Sequence, residues 1–510
     1  MVTSTRENCL GGECPSFQNC FVYRARREAM QADVVVVNHH LFLADLALRD
    51  DALKEFLPTA DTVILDEAHQ LPQIATEFFG FGWSLGQVGA LASDARSVGM
   101  QQAADGAPWL VLTRGLEHAS AALRLALADA GLQPGARLAL DRLPARSALV
   151  SPLSQLVDAL DALVQALQAN ENRDVELGVL RVRCVQLSAS VGQWVELLTG
   201  DLACERPSAA AQVHWLSVSS HGAQFHTTPL NSGSAFARAR QAQTQAWILT
   251  SATLTVAGRF DAFVAATGLT QARTERWESP FDYAKQGRLY LPPKIPEPGS
   301  SDFARAVAQA VWPVLKAAQG RAFVLCTTLR ATERVASFLR ELLVQSGHHW
   351  PLLVQGEQTR QALLDRFRTS GHAILVGSVS FWEGIDVRGE ALSVVAIDKL
   401  PFAPPDDPVV EARIKYLRDQ GGNPFMDYQL PEAITLLKQG AGRLIRGETD
   451  RGVLMLLDAR VLTKPYGRTV LASLPPFQRT QDLGEIEEFF EQTSDASSAL
   501  TWPDRDLAEN

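Results

Sequence analysis

The sequence predicts an α/β protein with two mostly parallel sheets, on three observations. Short apolar runs rich in Val and Ile recur along the chain: "VVVV" (34–37), "TVILDE" (62–67), "AWILTSA" (246–252), "AFVLCTT" (322–328), "AILVGS" (373–378), "SVVAIDKLPF" (393–402) and "GVLMLLD" (452–458). Unbroken runs of this kind are the pattern of strands buried on both faces. Helical patterns lie between them, which is the alternation of a sheet built through crossover connections. The third observation is a long interval, from Trp83 to about Glu205, that is rich in Ala, Leu and Gln and almost free of such runs. It predicts a helical domain inserted between two halves of the first sheet domain.

Within that interval, Leu153, Leu156, Val157, Leu160, Leu163, Val164 and Leu167 follow a 3.6-residue period. Leu180, Cys184, Leu187, Val191, Trp194, Val195 and Leu198 do the same. The break "ANENRD" between the two sets predicts an antiparallel helical hairpin. The Pro- and Gly-rich stretch "LPPKIPEPGSSD" (291–302) reads as a linker, and the acidic tail from Gln481 as a terminal helix that frays. The predicted organisation is a cysteine segment (1–30), a first sheet domain in two parts (31–82 and 206–290) around the insertion (83–205), the linker, a second sheet domain (303–480) and the tail (481–510).

With 510 residues, 46% hydrophobic and 20% charged, the chain has ample material for several cores. No window of about 18 apolar residues suggests a membrane span. Six cysteines in such a length do not make a disulfide framework, so a reducing cytoplasm is the expected setting. A net charge of −10 argues against wholesale coating of nucleic acid but leaves room for a local basic groove.

Four stretches carry chemistry. "TVILDEAH" puts Asp66 and Glu67 at the carboxyl end of a strand, where open α/β sheets place their ligands. In a nucleotide-hydrolysing site Asp66 would hold magnesium and Glu67 would orient and deprotonate the attacking water; a plain helix cap would use the same residues. "LTSATL" (249–254) offers the Ser251 and Thr253 hydroxyls at another strand end. "GSVSFWEGIDVRG" (377–389) and "QGAGRLIRG" (439–447) follow. In the last, Arg443 and Arg446 are predicted to share a helix face, an arrangement that suits either a transferring phosphoryl group or a solvated basic face. Ahead of all of these, Cys9, Cys14 and Cys20 form C-x4-C-x5-C, three thiols where soft metals and iron–sulfur clusters take four.

The order "DEAH", "TSATL", "SFWEGID", "QGAGRLIR", together with "VVVVNHHLFLADL" (34–46), "SPFDY" (279–283) and the cysteine stretch, closely resembles the DinG/YoaA group of XPD-like, iron–sulfur-containing superfamily-two DNA helicases. The resemblance spans nearly the whole chain. It implies two RecA-like domains closing over ATP, a helical arch-type insertion and a small iron–sulfur segment, with ATP-driven 5′→3′ translocation on single-stranded DNA in repair or replication. Forked or overhang DNA would be the substrate, with accessory proteins as further partners.

By this resemblance Asp66 is the magnesium ligand, Glu67 the catalytic base and His69 a residue that couples hydrolysis to DNA. Ser251 and Thr253 link the ATP site to the strand. Glu383, Gly384 and Asp386 match the motif that borders nucleotide and DNA, and Gln439, Gly442, Arg443 and Arg446 match the last motif, Gln439 and Gly442 being cofactor-binding and Arg446 the arginine finger. Asn38 and His39 match a motif near the DNA path, and the neighbouring His40, Arg24, Arg26 and Arg27 suit either DNA contact or a structural role. Cys9, Cys14 and Cys20 match three ligands of a [4Fe–4S] cluster whose first cysteine would lie upstream; a zinc site is the alternative. Cys184, Cys204 and Cys326 are poor replacements, the first and last lying in apolar patterns.

No Gly-Lys pair occurs anywhere in the sequence, so the phosphate-cradling Gly-Lys-Ser/Thr loop is missing as well. The expectation is a truncated or misassigned start at Met1. The competing expectations are a remnant that binds single-stranded DNA without hydrolysis, and one half of a split helicase.

Overall fold

The computed structural model describes residues 9, 12, 14, 16–49, 57–200, 211–241, 245–382 and 391–498. They divide into two compact units. The first comprises Met1–Ser251, Val264–Thr270 and Pro404–Pro424, and the second Ala252–Phe263, Gln271–Ala403 and Phe425–Asn510.

In the first unit, β1 (Thr62–Leu65) and β6 (Ala246–Leu249) pair in parallel, Leu65 opposite Leu249. One side of this pair is lined by Trp247, which meets Phe42 and Phe236 edge-on at 5.6 and 5.8 Å. The run 34–37 departs from the predicted strand: residues 34–38 have no regular structure, and Val34 and Val36 are 79% and 92% exposed. A buried parallel strand needs ladder partners and a covering layer, and among the described residues neither β1 nor β6 pairs with this run.

Between β1 and β6 the chain builds the insertion. Four long helices, Leu85–Gln102, Trp109–Asp129, Arg146–Asn170 and Val175–Thr199, supply most of it. The first begins at a capping box in which the Gln87 amide N–H donates to Ser84 Oγ and the Ser84 N–H donates to Gln87 Oε1. The last two are the predicted hairpin. Leu153, Leu156, Leu160, Leu163 and Leu167 bury against Leu180, Cys184, Val191, Trp194 and Leu198. Helix Arg146–Asn170 is long and apolar enough to cross a membrane by composition, and this leucine stripe, packed inside the insertion, accounts for its apolarity.

The insertion is not all helical. A four-stranded antiparallel sheet, ordered β2 (Phe81–Ser84), β5 (Gly222–Pro229), β4 (Gln212–Ser219) and β3 (Arg137–Ala139), shares its core. Trp83 stacks on Phe225 at 4.1 Å, and Trp194 meets Phe225 edge-on at 4.9 Å. The β4–β5 hairpin therefore packs with the insertion's helices instead of extending the parallel sheet.

The segment Pro404–Pro424 also belongs to the first unit, although it lies within the span predicted for the second sheet domain. Its helix Pro408–Asp419 sets Val409 and Ala412 against Ala139, Val213 and Trp215. Arg137 pairs with Asp407 at 3.0 Å and Arg142 with Glu411.

The second unit is a seven-stranded parallel sheet. Its strands are β7 (Gly287–Tyr290), β8 (Ala322–Leu325), β9 (Leu352–Val354), β10 (Ile374–Gly377), β11 (Val394–Ile397), β12 (Gly452–Leu456) and β13 (Gln478–Thr480), in the spatial order β13-β7-β12-β11-β8-β10-β9. Phe323, Leu325, Val395, Ile397, Leu454 and Leu456 face one buried layer, and Ala322, Val324, Val394, Ala396, Val453 and Met455 the other. That double burial is why these strands read as unbroken apolar runs.

Two boundaries shift relative to expectation. Strand β7 precedes the proline-rich stretch yet lies inside this sheet, paired with β12 and β13. The helix Leu483–Ser498 buries Ile486, Phe489 and Phe490 in the unit's core, with Arg288 and Arg451 over Phe489 at 4.6 and 4.7 Å, so the start of the acidic tail is a packed element.

Candidate active site

In the first unit the site is built where β1 ends. Glu67 sits at φ 49°, ψ 40°, a left-handed conformation that costs a side-chain-bearing residue roughly 1–3 kcal/mol. Asp66 Oδ1 accepts the Glu67 N–H at 2.9 Å and the Thr250 hydroxyl at 3.0 Å. The Thr250 carbonyl, just past β6, accepts the Ala68 N–H at 2.9 Å. The adjacent strand end thus fixes the turn from both sides.

The strained turn aims two side chains at one hydroxyl. Ser251 Oγ donates to Glu67 Oε2 at 3.3 Å and lies 3.0 Å from His69 Nδ1, which is itself 3.3 Å from Glu67 Oε2. Glu67 is 57% exposed and the His69 side chain 7%. A solvent-reachable carboxylate is therefore backed by a buried imidazole and a serine. Both hydrogen bonds to Asp66 fall on Oδ1, leaving Oδ2 without a protein partner among the described residues. Nucleotide-bound magnesium takes one or two carboxylates plus phosphate and water, so a single exposed aspartate fits that ion.

Asn38 caps the helix His39–Arg49 by accepting the Leu41 N–H on Oδ1 at 2.7 Å. His39 is half-buried, and His40 meets Phe78 edge-on at 5.7 Å. The structure gives Asn38 a capping role.

In the second unit, helix Leu430–Ala441 carries Gln439, whose Nε2 donates to the buried Thr253 Oγ1 at 2.7 Å. Its neighbour Lys438 donates from Nζ to the Thr255 carbonyl at 3.0 Å. The helix stops at Ala441 with Gly442 as its cap, so Arg443 and Arg446 do not share a helix face as predicted. Arg443 Nε donates to the Trp382 carbonyl at 2.8 Å. The backbone N–H groups of Arg446 and Gly447 both donate to Asp450 Oδ2 at 2.8 Å. Gln286 Nε2 closes that loop from below, within 2.8–3.1 Å of the Gly447, Glu448 and Asp450 carbonyls. Glu383, Gly384 and Asp386 lie outside the described residues.

Thr250, Gln286, Lys438 and Asp450 are site-shaping residues that motif spacing does not single out. The only hint available was their position beside a motif.

The cysteines do not converge. Cys9 is exposed, Cys14 and Cys20 are half-buried, all three are free thiols, and among the described residues no group of three His, Cys, Asp or Glu side chains could hold a metal ion. A [4Fe–4S] cluster needs its thiolates brought together, and as placed among the described residues these three do not fit one. Cys184 is a core residue, its thiol donating to the Leu160 carbonyl at 3.4 Å and pushed up to about 12 by burial. Burial also raises Cys326, and Cys204 lies outside the described residues.

Residues 311–477 match the family profile of a helicase C-terminal domain. Over 492 residues the chain is 38% identical to the ATP-dependent DNA helicase YoaA of Escherichia coli K12, covering 96% of this chain and 74% of that protein. The chain belongs to the YoaA/DinG family of ATP-dependent DNA helicases. The ATP-dependent helicase DinG of Mycobacterium tuberculosis is 33% identical over 505 residues, 95% of this chain and 70% of its own. The structure of S. tokodaii Xpd4 superposes with a TM-score of 0.50 at 13% identity, covering 86% of this chain and 81% of that one. At that identity the likeness speaks to fold alone, and it agrees with an XPD-like α/β architecture of RecA-like type.

Proposed function

We propose that this YoaA/DinG-family chain is an ATP-hydrolysing DNA helicase that translocates 5′→3′ on single-stranded DNA, acting on forked or overhang substrates in repair or replication in the cytoplasm. The observation that carries the reading is the strained Glu67 turn, with its carboxylate against Ser251 and His69 and beside Asp66 at the carboxyl end of β1. Strain of this kind persists where the surroundings over-determine it, and it concentrates at catalytic sites.

In this reading Glu67 orients a water and takes its proton as that water attacks the γ-phosphorus of ATP, the bond to the β–γ bridging oxygen breaks, and ADP and phosphate leave. Ser251 and His69 keep the carboxylate aimed, and His69 passes the state of that carboxylate toward DNA. Asp66 would hold magnesium, which would supply neutralisation of phosphate charge. Arg443 and Arg446 meet the charge that develops on the transferred phosphoryl group, with Gln439 and Gly442 shaping their loop. Glu383, Gly384 and Asp386 complete the nucleotide and DNA border, Asn38 and His39 lie along the DNA path, and the insertion (83–205) acts as the arch. Cys9, Cys14 and Cys20 match cluster ligands of the family and take no part in turnover in this reading.

The test compares Glu67→Gln with wild type for DNA-stimulated ATP hydrolysis, and for unwinding of duplexes with a 5′ or a 3′ overhang. Turnover lost with DNA affinity kept, and unwinding confined to the 5′ overhang, is the expected result; equal hydrolysis by both proteins overturns the assignment. A second reading has the chain grip single-stranded DNA without turnover or work as one half of a split enzyme. Salt-dependent DNA binding with no hydrolysis in wild type would support it.

A further inference from the structure

Between β6 and the second unit the chain passes through "LTSATLTVAG", and its side chains divide their attachments. Thr250 and Ser251 bond to Asp66 and Glu67 in the first unit. From Ala252 the chain belongs to the second unit, where three side chains grip it in sequence. Gln439 holds the Thr253 hydroxyl at 2.7 Å, Lys438 holds the Thr255 carbonyl at 3.0 Å, and Ser473 Oγ accepts the Ala257 N–H at 2.8 Å. Ala252 lies between the residues of these two sets, and the helix Leu430–Ala441 that holds the second set leads into Arg443 and Arg446.

Lys438 is the member of this set that packing does not require. It lies beside Gln439 on a helix whose Leu430, Ile434 and Leu437 are buried, and burial, followed by the charge of Arg276, brings it down to about 8. An apolar side chain would serve the same position without that conflict. What the ammonium supplies is a charge-assisted bond to a main-chain carbonyl.

We propose that Lys438 is a positioning residue that fastens the segment after Ser251 to the Leu430–Ala441 helix, so that movement at the Glu67 turn is passed to the arginine-bearing loop. Its coupling role rests on the helicase reading, whereas the fastening does not. Lys438 touches neither nucleotide nor DNA in this scheme. It acts by keeping Thr253–Ala257 in register with the helix, and a loose segment would let hydrolysis proceed without productive movement.

The test uses the full chain with Lys438→Met and Lys438→Arg. Hydrogen–deuterium exchange of the peptide spanning 252–258 is the first readout. Loss of a charge-assisted bond predicts roughly tenfold faster exchange at Val256 and Ala257 in the Met variant, with protection restored by Arg. Unchanged exchange overturns the proposal, and so does an equal rise across β8 and β11, which would mark general loosening. The second readout is base pairs unwound per ATP hydrolysed. A several-fold fall in Lys438→Met at near-normal hydrolysis supports coupling, and an unchanged ratio overturns it. If wild type hydrolyses no ATP, the helicase reading falls on that result, while the exchange data still decide the fastening.

Discussion

Asp398 offers a prediction whose size can be worked from its surroundings. It follows β11 in the centre of the second unit's sheet and is wholly buried. Its Oδ1 accepts the N–H groups of Thr327 at 3.1 Å and Lys399 at 2.7 Å, while Oδ2 has no hydrogen-bond partner among the described residues. Burial is the largest influence and pushes the carboxyl up from 3.8 to about 7; Lys399 and the two backbone donors oppose it, and Asp458 adds to it. With the folded value above the unfolded one, the folded chain keeps a proton that the unfolded chain has released between those limits. Stability therefore declines as pH rises through that window, and at about 1.4 kcal/mol per pH unit the full penalty is about 4 kcal/mol above pH 7.

Asp398→Asn keeps the neutral shape and removes the titration. The variant should gain about 1.5 kcal/mol over wild type at pH 5 and about 4 kcal/mol at pH 8. Since two units need not unfold together, the assay is urea-dependent hydrogen exchange of β8 and β11 at both pH values, corrected for intrinsic rates. A gain that does not grow with pH, or a loss at pH 8, would mean that the carboxylate is ionised and satisfied, and the burial argument would fail.

Three further outcomes are expected. Gln286→Ala removes a buried amide that holds three carbonyls of the loop after Arg446, so exchange in 446–450 should rise and stability should fall by about 1–3 kcal/mol; a silent variant in both measurements refutes the role given to Gln286. A Cβ at Gly287 would lie 2.1 Å from the Phe477 ring, so Gly287→Ala should cost about 1–3 kcal/mol in urea melts of the second unit, with Phe477→Leu relieving it; a Gly287→Ala chain as stable as wild type contradicts the packing. Because Cys9, Cys14 and Cys20 do not converge, Cys14→Ser should leave the iron content and visible absorbance of the purified chain unchanged; a loss of bound iron would make Cys14 a ligand and refute that placement.

The sheet of the second unit was legible because double burial leaves an unbroken apolar run, as in "AFVL" and "VVAI". Strands without that signature were not. β9 and β13 have three residues each, and β7 reads "GRLY" with Arg288 interrupting it. The β4–β5 hairpin escaped notice for a different reason: its cross-strand pairs include His214 with Thr227 at 2.9 Å and Ser217 with His226 at 3.1 Å, polar partners that blur the alternation. Its turn at Ser220–His221 before Gly222, at φ 144°, was the available clue. The helix expected through Arg446 ends at Ala441; the close approach of Gly440 to Trp382 and Ile397 leaves little room for a side chain there, and Gly442 favours the stop.

The same physics separates what a motif can disclose from what it cannot. Asp66, Glu67 and Ser251 were visible because their chemistry needs particular side chains at strand ends, and the structure brings those three together. Lys438, Gln286 and Asp450 work on backbone carbonyls and amides, which nearly every residue possesses. A side chain that grips the main chain has no obligatory partner residue, so its partner leaves no trace in the sequence. Such residues become visible only when the fold brings a distant stretch of backbone within 3 Å, as Thr255 is brought to Lys438. Arg443 and Arg446 are specified by the motif, whereas the loop after Arg446 is held on its backbone by Gln286 and Asp450. Substitutions at Gln286 and Asp450 should therefore change how often this loop keeps its conformation, lowering turnover while nucleotide affinity changes less than it would on removal of either arginine.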